Sequence, residues 1–304
     1  MPQSVRVQSH PAWAERSGGV QRVPGRSSRG SRLEVSERTL AQTIIKIATK
    51  MGESWGTWKG CSPCSPGCAN CYSLFRVIPR WYGLKPGQVT VNKDFRKPYR
   101  WKTPQMVFVC PLSDFFIDHP VANQWRLDAW KVIHDNKQHV FRICTKRPEN
   151  LLKYPKKYLP EDWPYANVWL GVSAENQLWA DRRMDMLRQV PIHPRALRWV
   201  SAEPLLGSIK FSGPSSLTGY GWVIDGGESG DSKHPPRKFS LSWFRQIRDQ
   251  CAAAGVPYCH KQHGGAKKCR CWRTTHPPGD PLFHEKAFGC RILDGRVHDD
   301  LPPW

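Results

Sequence analysis

The sequence predicts an α/β protein built as a full or partial (β/α) barrel. Short apolar runs alternate with segments of helical period, a rhythm typical of parallel strands joined by crossover helices. The runs are almost continuously apolar, which favours strands buried on both faces of a sheet. Six or seven such units favour a barrel over a doubly wound sheet.

Each predicted element rests on local pattern. The strands are expected at 55–61, 106–110, 139–144, 168–172, 197–201, 221–224 and 257–259. The helices are expected at 124–136, 176–189 and 242–254. Ser240 or Ser242 is expected to cap the last helix, and Gly255 to end it.

Composition divides the chain into three segments. Residues 1–50 are expected to form a basic, disordered tail with a short helix at 39–50, and they resemble a transit peptide or a basic arm. Residues 51–261 are expected to form the barrel. Residues 262–304, rich in Gly, Pro, Cys and His, are expected to form a loop-rich extension with at most one strand.

The charge of the chain predicts a polyanionic partner. The formal net charge is +21, and residues 1–50 contribute only nine Lys and Arg against three Asp and Glu. A basic body gains counterion-release entropy on binding phosphates, so nucleic acid (DNA or RNA) is the leading partner. The alternative is a basic surface kept for solubility.

The chain contains 15 Trp, several beside cations: Trp58 with Lys59, Trp81 with Arg80, and Trp101 with Arg100 and Lys102. Such pairs suit base stacking next to phosphate contacts, although packing explains most tryptophans.

Composition also predicts where the protein works. No apolar run reaches the roughly 20 residues of a membrane span. The 11 cysteines accompany no secretory segment, so their spacing favours metal ligation or buried thiols in a reducing cytoplasm over disulfides. Cys110, Cys144 and Cys251 lie in apolar contexts and are expected to be small core residues.

The string GCSPCSPGCANCY places Cys61, Cys64, Cys68 and Cys71 within one short loop. Thiolates this close together are expected to converge on one metal centre, and the prolines and Gly67 let the chain wrap around it. An iron-sulfur cluster is favoured over zinc, because structural zinc sites usually draw their two Cys pairs from well-separated knuckles.

Within this loop, Cys64, Cys68 and Cys71 follow C-x3-C-x2-C, and an aromatic residue, Tyr72, follows the last cysteine. In these features the loop resembles that of radical S-adenosylmethionine enzymes. The resemblance implies a 4Fe-4S cluster with three protein ligands, an open iron that chelates S-adenosylmethionine, and an external electron donor.

A longer resemblance covers residues 52–302. It is carried by WGTWKGCSPCSPGCANCY, SDFF, TKRPENLL, VWLGVSAENQ, ADRR, SAEPLLG, GGESG and LDGRVHDDLP. In these segments the chain resembles the phage-borne three-Cys-motif family, which is related to radical S-adenosylmethionine enzymes. That family's C-x6-C-x2-C spacing maps onto Cys61, Cys68 and Cys71 and leaves Cys64 as the alternate ligand. The family is largely uncharacterised, so the resemblance implies a class of chemistry and not a substrate. Together with the basic charge, this chemistry predicts radical modification or repair of nucleic acid, analogous to spore photoproduct lyase.

Polar residues at the expected carboxyl ends of the strands are predicted to bind the cofactor. They are Ser113, Asp114, Lys146, Ser173, Glu175, Glu203, Gly226, Gly227 and Glu228, together with Tyr72 in the cysteine loop. The alternatives are carboxylates paired with local Arg or Lys, and a tight turn at Gly226–Gly227. The GGE segment of radical S-adenosylmethionine enzymes follows the second strand, whereas Gly226 follows about the sixth.

The C-terminal region offers a second set of metal ligands, for zinc or an auxiliary cluster. Its cysteines are Cys259, Cys269, Cys271 and Cys290, and His260, His263, His276 and His284 lie among them. The alternative is a set of unrelated thiols. The residues predicted to contact nucleic acid are Lys146, Arg147, Lys267, Lys268, Arg270, Trp272 and Arg273.

Two functions remain open at this level. One is a radical S-adenosylmethionine enzyme. The other is a non-catalytic nucleic-acid-binding protein in which zinc or a cluster only stabilises the loop.

Overall fold

The computed structural model describes residues 52–230, 234–264 and 291–304. The strands are β1 (Glu53–Trp55), β2 (Trp58–Lys59), β3 (Thr90–Val91), β4 (Met106–Val109), β5 (Val140–Thr145), β6 (Val168–Ser173), β7 (Arg198–Ala202), β8 (Trp222–Gly226), β9 (Tyr258–Gln262), β10 (Ile292–Leu293) and β11 (Arg296–Val297). The α-helices are α1 (Ile78–Tyr82), α2 (Pro120–Asp135), α3 (Pro148–Lys153), α4 (Pro155–Tyr158), α5 (Gln177–Gln189) and α6 (Leu241–Ala253).

Seven strands form one curled parallel sheet, in the order β1-β4-β5-β6-β7-β8-β9. From β4 onwards each strand pairs with the next one in the chain, which is the winding of a barrel. Within the described residues β1 and β9 remain edges, so the barrel is partial. The predicted α/β class with a partial barrel is therefore confirmed.

Most predicted elements are present, with shifted ends. Helix α2 begins at Pro120, four residues earlier than expected, because the His119 ring accepts a hydrogen bond from the Val121 amide. Ser240 caps α6 by accepting from the Ser242 amide, and Gly255 follows the helix with a positive φ of 64°. The caps predicted for this helix are confirmed.

The single strand predicted at 55–61 is wrong. Its residues belong to β1 in the main sheet and to β2, which pairs antiparallel with β3 in a separate ribbon. The chain changes sheets between Trp55 and Trp58, so the cysteine loop lies within the long connection from β1 to β4. At the other end of the chain, β10 and β11 form a hairpin where at most one strand was expected.

The two faces of the sheet bury different side chains. One face packs Val107, Ile143 and Val200 against residues of the helices such as Trp130 and Leu187. The other face is a smaller cluster made of strand residues, with Trp169, Trp199 and Trp222 at its centre. Three indoles therefore fill the inside of the partial barrel.

Gly171 of β6 makes room for this aromatic filling. A Cβ atom at Gly171 would overlap the Trp199 ring from the neighbouring strand. Arg142 lies against the same cluster, with its guanidinium 5.3 Å from the centre of the Trp222 ring, and burial lowers its pKa to about 10. No helix in the described residues is long and apolar enough to span a membrane.

Replacing Gly171 with Ala is expected to lower the free energy of unfolding by about 1–3 kcal/mol, because the methyl group displaces the Trp199 indole. Gly207→Ala is the matched control, since a Cβ there meets only the Asn176 Cβ at 3.5 Å. Urea unfolding measures both variants. Equal midpoints would show that the indole moves aside without cost.

Candidate functional site

The cysteine loop lies over the carboxyl ends of the parallel strands. It begins at Gly60, whose φ of +94° and close approach to the Gln88 backbone exclude a side chain. A 3₁₀ turn, Pro66–Cys68, forms its middle, and the π-helix Ser73–Val77 follows its last cysteine directly. The prolines and the turn keep the four thiols on a short, non-repetitive stretch of chain.

A buried ion pair holds the first part of the cysteine loop, at Cys61 and Ser62. Arg147 follows β5, and its Nη1 lies 3.1 Å from Asp114 Oδ2 and 3.7 Å from Cys61 Sγ. Its Nη2 donates to the Ser62 carbonyl oxygen at 2.6 Å. Burial opposes the charge on Arg147, but Asp114, Cys61 and Cys64 together outweigh burial and raise the pKa of the guanidinium. Asp114 also accepts from Thr145 Oγ1 at 2.7 Å.

The middle of the loop rests on Glu175, a fully buried carboxylate after β6. Its Oε1 accepts from Ser65 Oγ at 2.6 Å and lies 3.2 Å from Lys146 Nζ, while its Oε2 lies 3.0 Å from Arg183 Nη1 of α5. A Cβ at Gly67 would overlap this carboxylate. Burial disfavours the charge on Glu175, but the two cations outweigh burial and lower its pKa.

The last part of the cysteine loop, at Asn70, is held by Glu228, which follows β8. Its Oε2 accepts from Asn70 Nδ2 at 3.0 Å and from the Arg237 amide at 2.9 Å, and its Oε1 pairs with the Arg237 guanidinium. Arg237 Nη2 also donates to the Pro66 carbonyl oxygen at 2.9 Å. These hydrogen bonds outweigh burial and lower the pKa of Glu228. Three acidic side chains, from the ends of three strands, thus support one loop.

The four thiols of the loop lie close enough to affect one another. Burial, with smaller contributions from Cys71 and Cys68, raises the pKa of Cys61 to about 12. Burial also raises the pKa of Cys71. A hydrogen bond from the Cys64 thiol lowers the pKa of Cys68 to about 5, and the same bond raises the pKa of Cys64. The hydrogen bond from Cys64 thus favours the ionised form of Cys68.

Beside the loop, the carboxyl ends of the strands form a polar opening around Glu203. We call it the mouth, and its residues are Ser173, Ser201, Glu203 and Lys261. Its Oε1 lies 2.8 Å from Lys261 Nζ at the end of β9, and its Oε2 accepts from Ser201 Oγ at 3.1 Å. A Cβ at Gly226 would lie 2.9 Å from Glu203 Oε1, so this glycine lets the carboxylate cross β8. Burial opposes the charge on Lys261, but Glu203 raises its pKa.

The remaining predicted cofactor residues lie beside the mouth or beside the cysteine loop. Ser173 is buried at the end of β6, with its Oγ 3.6 Å from Cys144 Sγ. Ser113 donates to the Gly60 carbonyl oxygen. The Tyr72 hydroxyl donates to the Pro111 carbonyl oxygen at 3.1 Å, and burial raises its pKa to about 12.

The fold brings together most of the residues predicted from strand ends. Glu175 and Glu228 contact the cysteine loop, and Asp114 reaches it through Arg147. Glu203 and Ser173 face the mouth beside it. The GGE segment does follow the sixth strand of the sheet. Its second glycine, Gly227, lies against the His263 backbone, where a Cβ would overlap the carbonyl group.

Sequence reasoning missed the partners of the acidic side chains. They are Ser62, Ser65, Asn70, Arg183, Arg237 and Lys261. The repeated Cys-Ser-Pro of the loop was a usable signal, because Ser62 and Ser65 are the residues through which Arg147 and Glu175 bind it. Nothing in the local pattern marks Arg237 or Arg183.

Lys146 and Arg147, predicted to contact nucleic acid, are both engaged by carboxylates within the fold. Their role toward nucleic acid stays a prediction. The other predicted contacts (Lys267, Lys268, Arg270, Trp272 and Arg273) lie outside the described residues.

The second metal site stays a prediction as well. Cys269, Cys271 and Cys290 lie outside the described residues, as do His276 and His284. Cys259 is buried in β9 within the indole cluster, and burial raises its pKa to about 12. His260 forms a buried hydrogen bond to Asp225 at 2.6 Å. In the part of the chain that the structure describes, no group of three or more His, Cys, Asp and Glu side chains is arranged to bind a metal ion.

Replacing Glu175 with Gln is expected to lower the free energy of unfolding by about 3–5 kcal/mol, because two buried cations lose their partner. Asp94→Asn is the matched control: it removes a carboxylate paired with the exposed Arg100, and we expect at most about 1 kcal/mol. Chemical unfolding of the two variants measures the difference. A loss at Glu175 as small as that at Asp94 would mean that the ion pairs do not support the loop.

Comparison with known proteins adds a family. No curated protein matches the chain, and no solved structure matches it. The model of a protein family of unknown function, DUF5131, matches residues 45–302, which include the whole described sheet and the cysteine loop. The chain therefore belongs to the DUF5131 family.

Proposed function

We propose that this protein is an iron-sulfur enzyme of the radical S-adenosylmethionine type that acts on nucleic acid. The observation that carries the proposal is the position of the four-thiol loop, supported by three acidic side chains over the mouth of a curled parallel sheet. In barrels of parallel strands, this end of the sheet is where active sites lie. The loop and the mouth therefore form one candidate active site.

The chemistry of the donor set suits an iron-sulfur cluster, although the thiols of the described residues are not arranged as a metal site. We assign Cys61, Cys68 and Cys71 as ligands of a 4Fe-4S cluster, with Cys64 as the alternate. Thiolates are the ligands that such clusters prefer, and Cys61 lies within the electrostatic range of both Cys68 and Cys71. Arg147, 3.7 Å from Cys61 Sγ, places a positive charge beside the thiolates, which offsets their negative charge.

A cluster held by these cysteines would supply one-electron reduction of a bound S-adenosylmethionine. The residues of this chain have simpler tasks. Glu203 and Lys261 offer a carboxylate and an ammonium group at the mouth, complementary to the amino and carboxylate groups of the cofactor's methionine part. Ser173 and Tyr72 border the same space.

Asp114, Glu175 and Glu228 act in this proposal as positioning residues, because their carboxylates are occupied by the loop and its cations. Lys146 connects Glu175 with the mouth, since its Nζ lies between Glu175 Oε1 and the Glu203 carbonyl oxygen. Trp169, Trp199 and Trp222 fill the base of the partial barrel and exclude water from below. A radical reaction requires such shielding, because water and side reactions would consume the intermediate.

The net charge of the protein supports nucleic acid as the substrate. A protein of net charge +21 attracts polyanions, and counterion release favours phosphate-rich partners. Base or sugar modification and lesion repair are the reaction classes that combine hydrogen abstraction with such a substrate.

The cluster assignment predicts a pattern of iron loss. After anaerobic purification, Cys61→Ala, Cys68→Ala and Cys71→Ala are each expected to lose most of the iron and the visible absorption of the cluster, whereas Cys64→Ala keeps both. Cys251→Ala, which removes a buried thiol of α6 far from the loop in sequence, is the control. Retention in Cys61→Ala with loss in Cys64→Ala would reverse the assignment. Zinc without iron in the wild type would support the non-catalytic alternative.

The enzymatic part predicts that the wild type, reduced with dithionite, releases 5′-deoxyadenosine from S-adenosylmethionine. Glu203→Gln is expected to raise the S-adenosylmethionine concentration needed for half-maximal cleavage by about tenfold, the loss typical of one charge-assisted hydrogen bond. Asp94→Asn, on the exposed surface, is expected to behave as the wild type. Cleavage by Cys68→Ala at the wild-type rate would contradict the proposal.

A further inference from the structure

The connection between β1 and β4 concentrates positive charge beside the cysteine loop. Residues 76–102 contain eight Lys and Arg, and Asp94 is their one acidic residue. One part of this segment, together with β2, forms what we call the basic aromatic surface. Its residues are Lys59, Arg80, Trp81, Tyr82, Lys85 and Lys93.

Contacts within the structure bring Lys59, Tyr82 and Lys93 together. Lys59 Nζ lies 4.1 Å from the centre of the Tyr82 ring. Burial lowers the pKa of Lys59, and the nearby Lys93 lowers it further, which shows that two positive charges share this surface. The pairing of Lys59 with Thr90 in the β2–β3 ribbon holds the lysine beside the segment that carries Lys93.

Two aromatic rings of the surface face solvent. Trp81 is 41% exposed and Tyr82 is 38% exposed, although α1 offers the apolar core of the protein only Ile78. The fold leaves these large rings uncovered next to Arg80 and Lys85, which are also exposed. Exposed rings beside cations are the combination that binds single-stranded nucleic acid, since bases stack while phosphates pair.

The basic aromatic surface adjoins the cysteine loop. The Gly87 amide, two residues after Lys85, donates to the Cys61 carbonyl oxygen at 2.8 Å. Gly60 lies against the Gln88 backbone in the same place. A strand bound along the surface therefore passes beside the cysteine loop.

We infer that the basic aromatic surface binds a single-stranded segment of nucleic acid and leads it to the mouth. The inference rests on the proposed function only in taking nucleic acid as the substrate. A membrane surface fits the same charge less well, because α1 spans five residues and has no extended apolar face to insert. A duplex fits less well, because stacked and paired bases do not present their faces to Trp81 and Tyr82.

The test is equilibrium binding of fluorescently labelled, mixed-sequence oligonucleotides to the full chain. The double variant Lys85→Glu/Lys93→Glu is expected to lower the slope of log affinity against log salt by about 1.4, the value for two lost phosphate contacts on a single strand. Trp81→Ala is expected to weaken binding about fivefold or more while keeping the salt slope, because it removes stacking and no charge.

Lys153→Glu/Lys156→Glu is the matched control, since it makes the same change of net charge at exposed positions of α3 and α4. Its salt slope and affinity are expected to stay near those of the wild type. An equal loss in the control would show that only the net charge matters and would overturn the inference. Tighter binding to the duplex, or to phosphatidylserine vesicles, would overturn it as well.

Single-stranded DNA and single-stranded RNA of the same sequence are compared to show which of the two the chain prefers. Preferential binding of either supports the inferred role of the basic aromatic surface. Iron content is measured on the same samples. If the chain binds through the basic aromatic surface but holds no iron, this inference is supported and the proposed function is contradicted. If the chain holds iron but binds equally well in the Lys85→Glu/Lys93→Glu and Trp81→Ala variants, the proposed function stands and this inference is contradicted.

Discussion

The buried carboxylate of Glu175 is the interaction on which the candidate site depends. It accepts from Ser65 of the cysteine loop and pairs with Lys146 after β5 and Arg183 of α5. A carboxylate removed from water is tolerated only when cations and donors replace its hydration, so these segments have to meet at one point. Gly67, which lies directly on this carboxylate, brings the loop backbone into the same contact.

The same arrangement recurs at alternate strands. Asp114 follows β4, Glu175 follows β6 and Glu228 follows β8. Glu175 and Glu228 bind the loop directly, whereas Asp114 holds Arg147, which binds the loop. The intervening strands supply the cations and the mouth, with Arg147 after β5 and Lys261 at the end of β9. Loop position is thus set by charged contacts to the strands, because a loop of prolines, glycine and thiols has little apolar surface of its own.

The inside of the partial barrel separates a dry base from a polar mouth. The indoles of Trp169, Trp199 and Trp222 occupy the base, and Gly171 gives them the space. Toward the carboxyl ends the strands present Ser173, Ser201 and Glu203 instead of apolar side chains. The basic aromatic surface adjoins the cysteine loop through the hydrogen bond from the Gly87 amide to the Cys61 carbonyl oxygen.

What the sequence alone determined was local. Apolar runs and helical periodicity identified the strands from β4 to β9 and the three long helices, and the spacing of four cysteines identified the loop, because these signals lie within a few residues of one another. The division of residues 55–61 between two sheets escaped this reasoning, since it depends on pairing with β4 and β3 far along the chain. Only the tertiary structure decided which carboxylate meets which cation. Asn70 and Glu228 are 158 residues apart, and no local pattern encodes a contact that exists only once the sheet has curled.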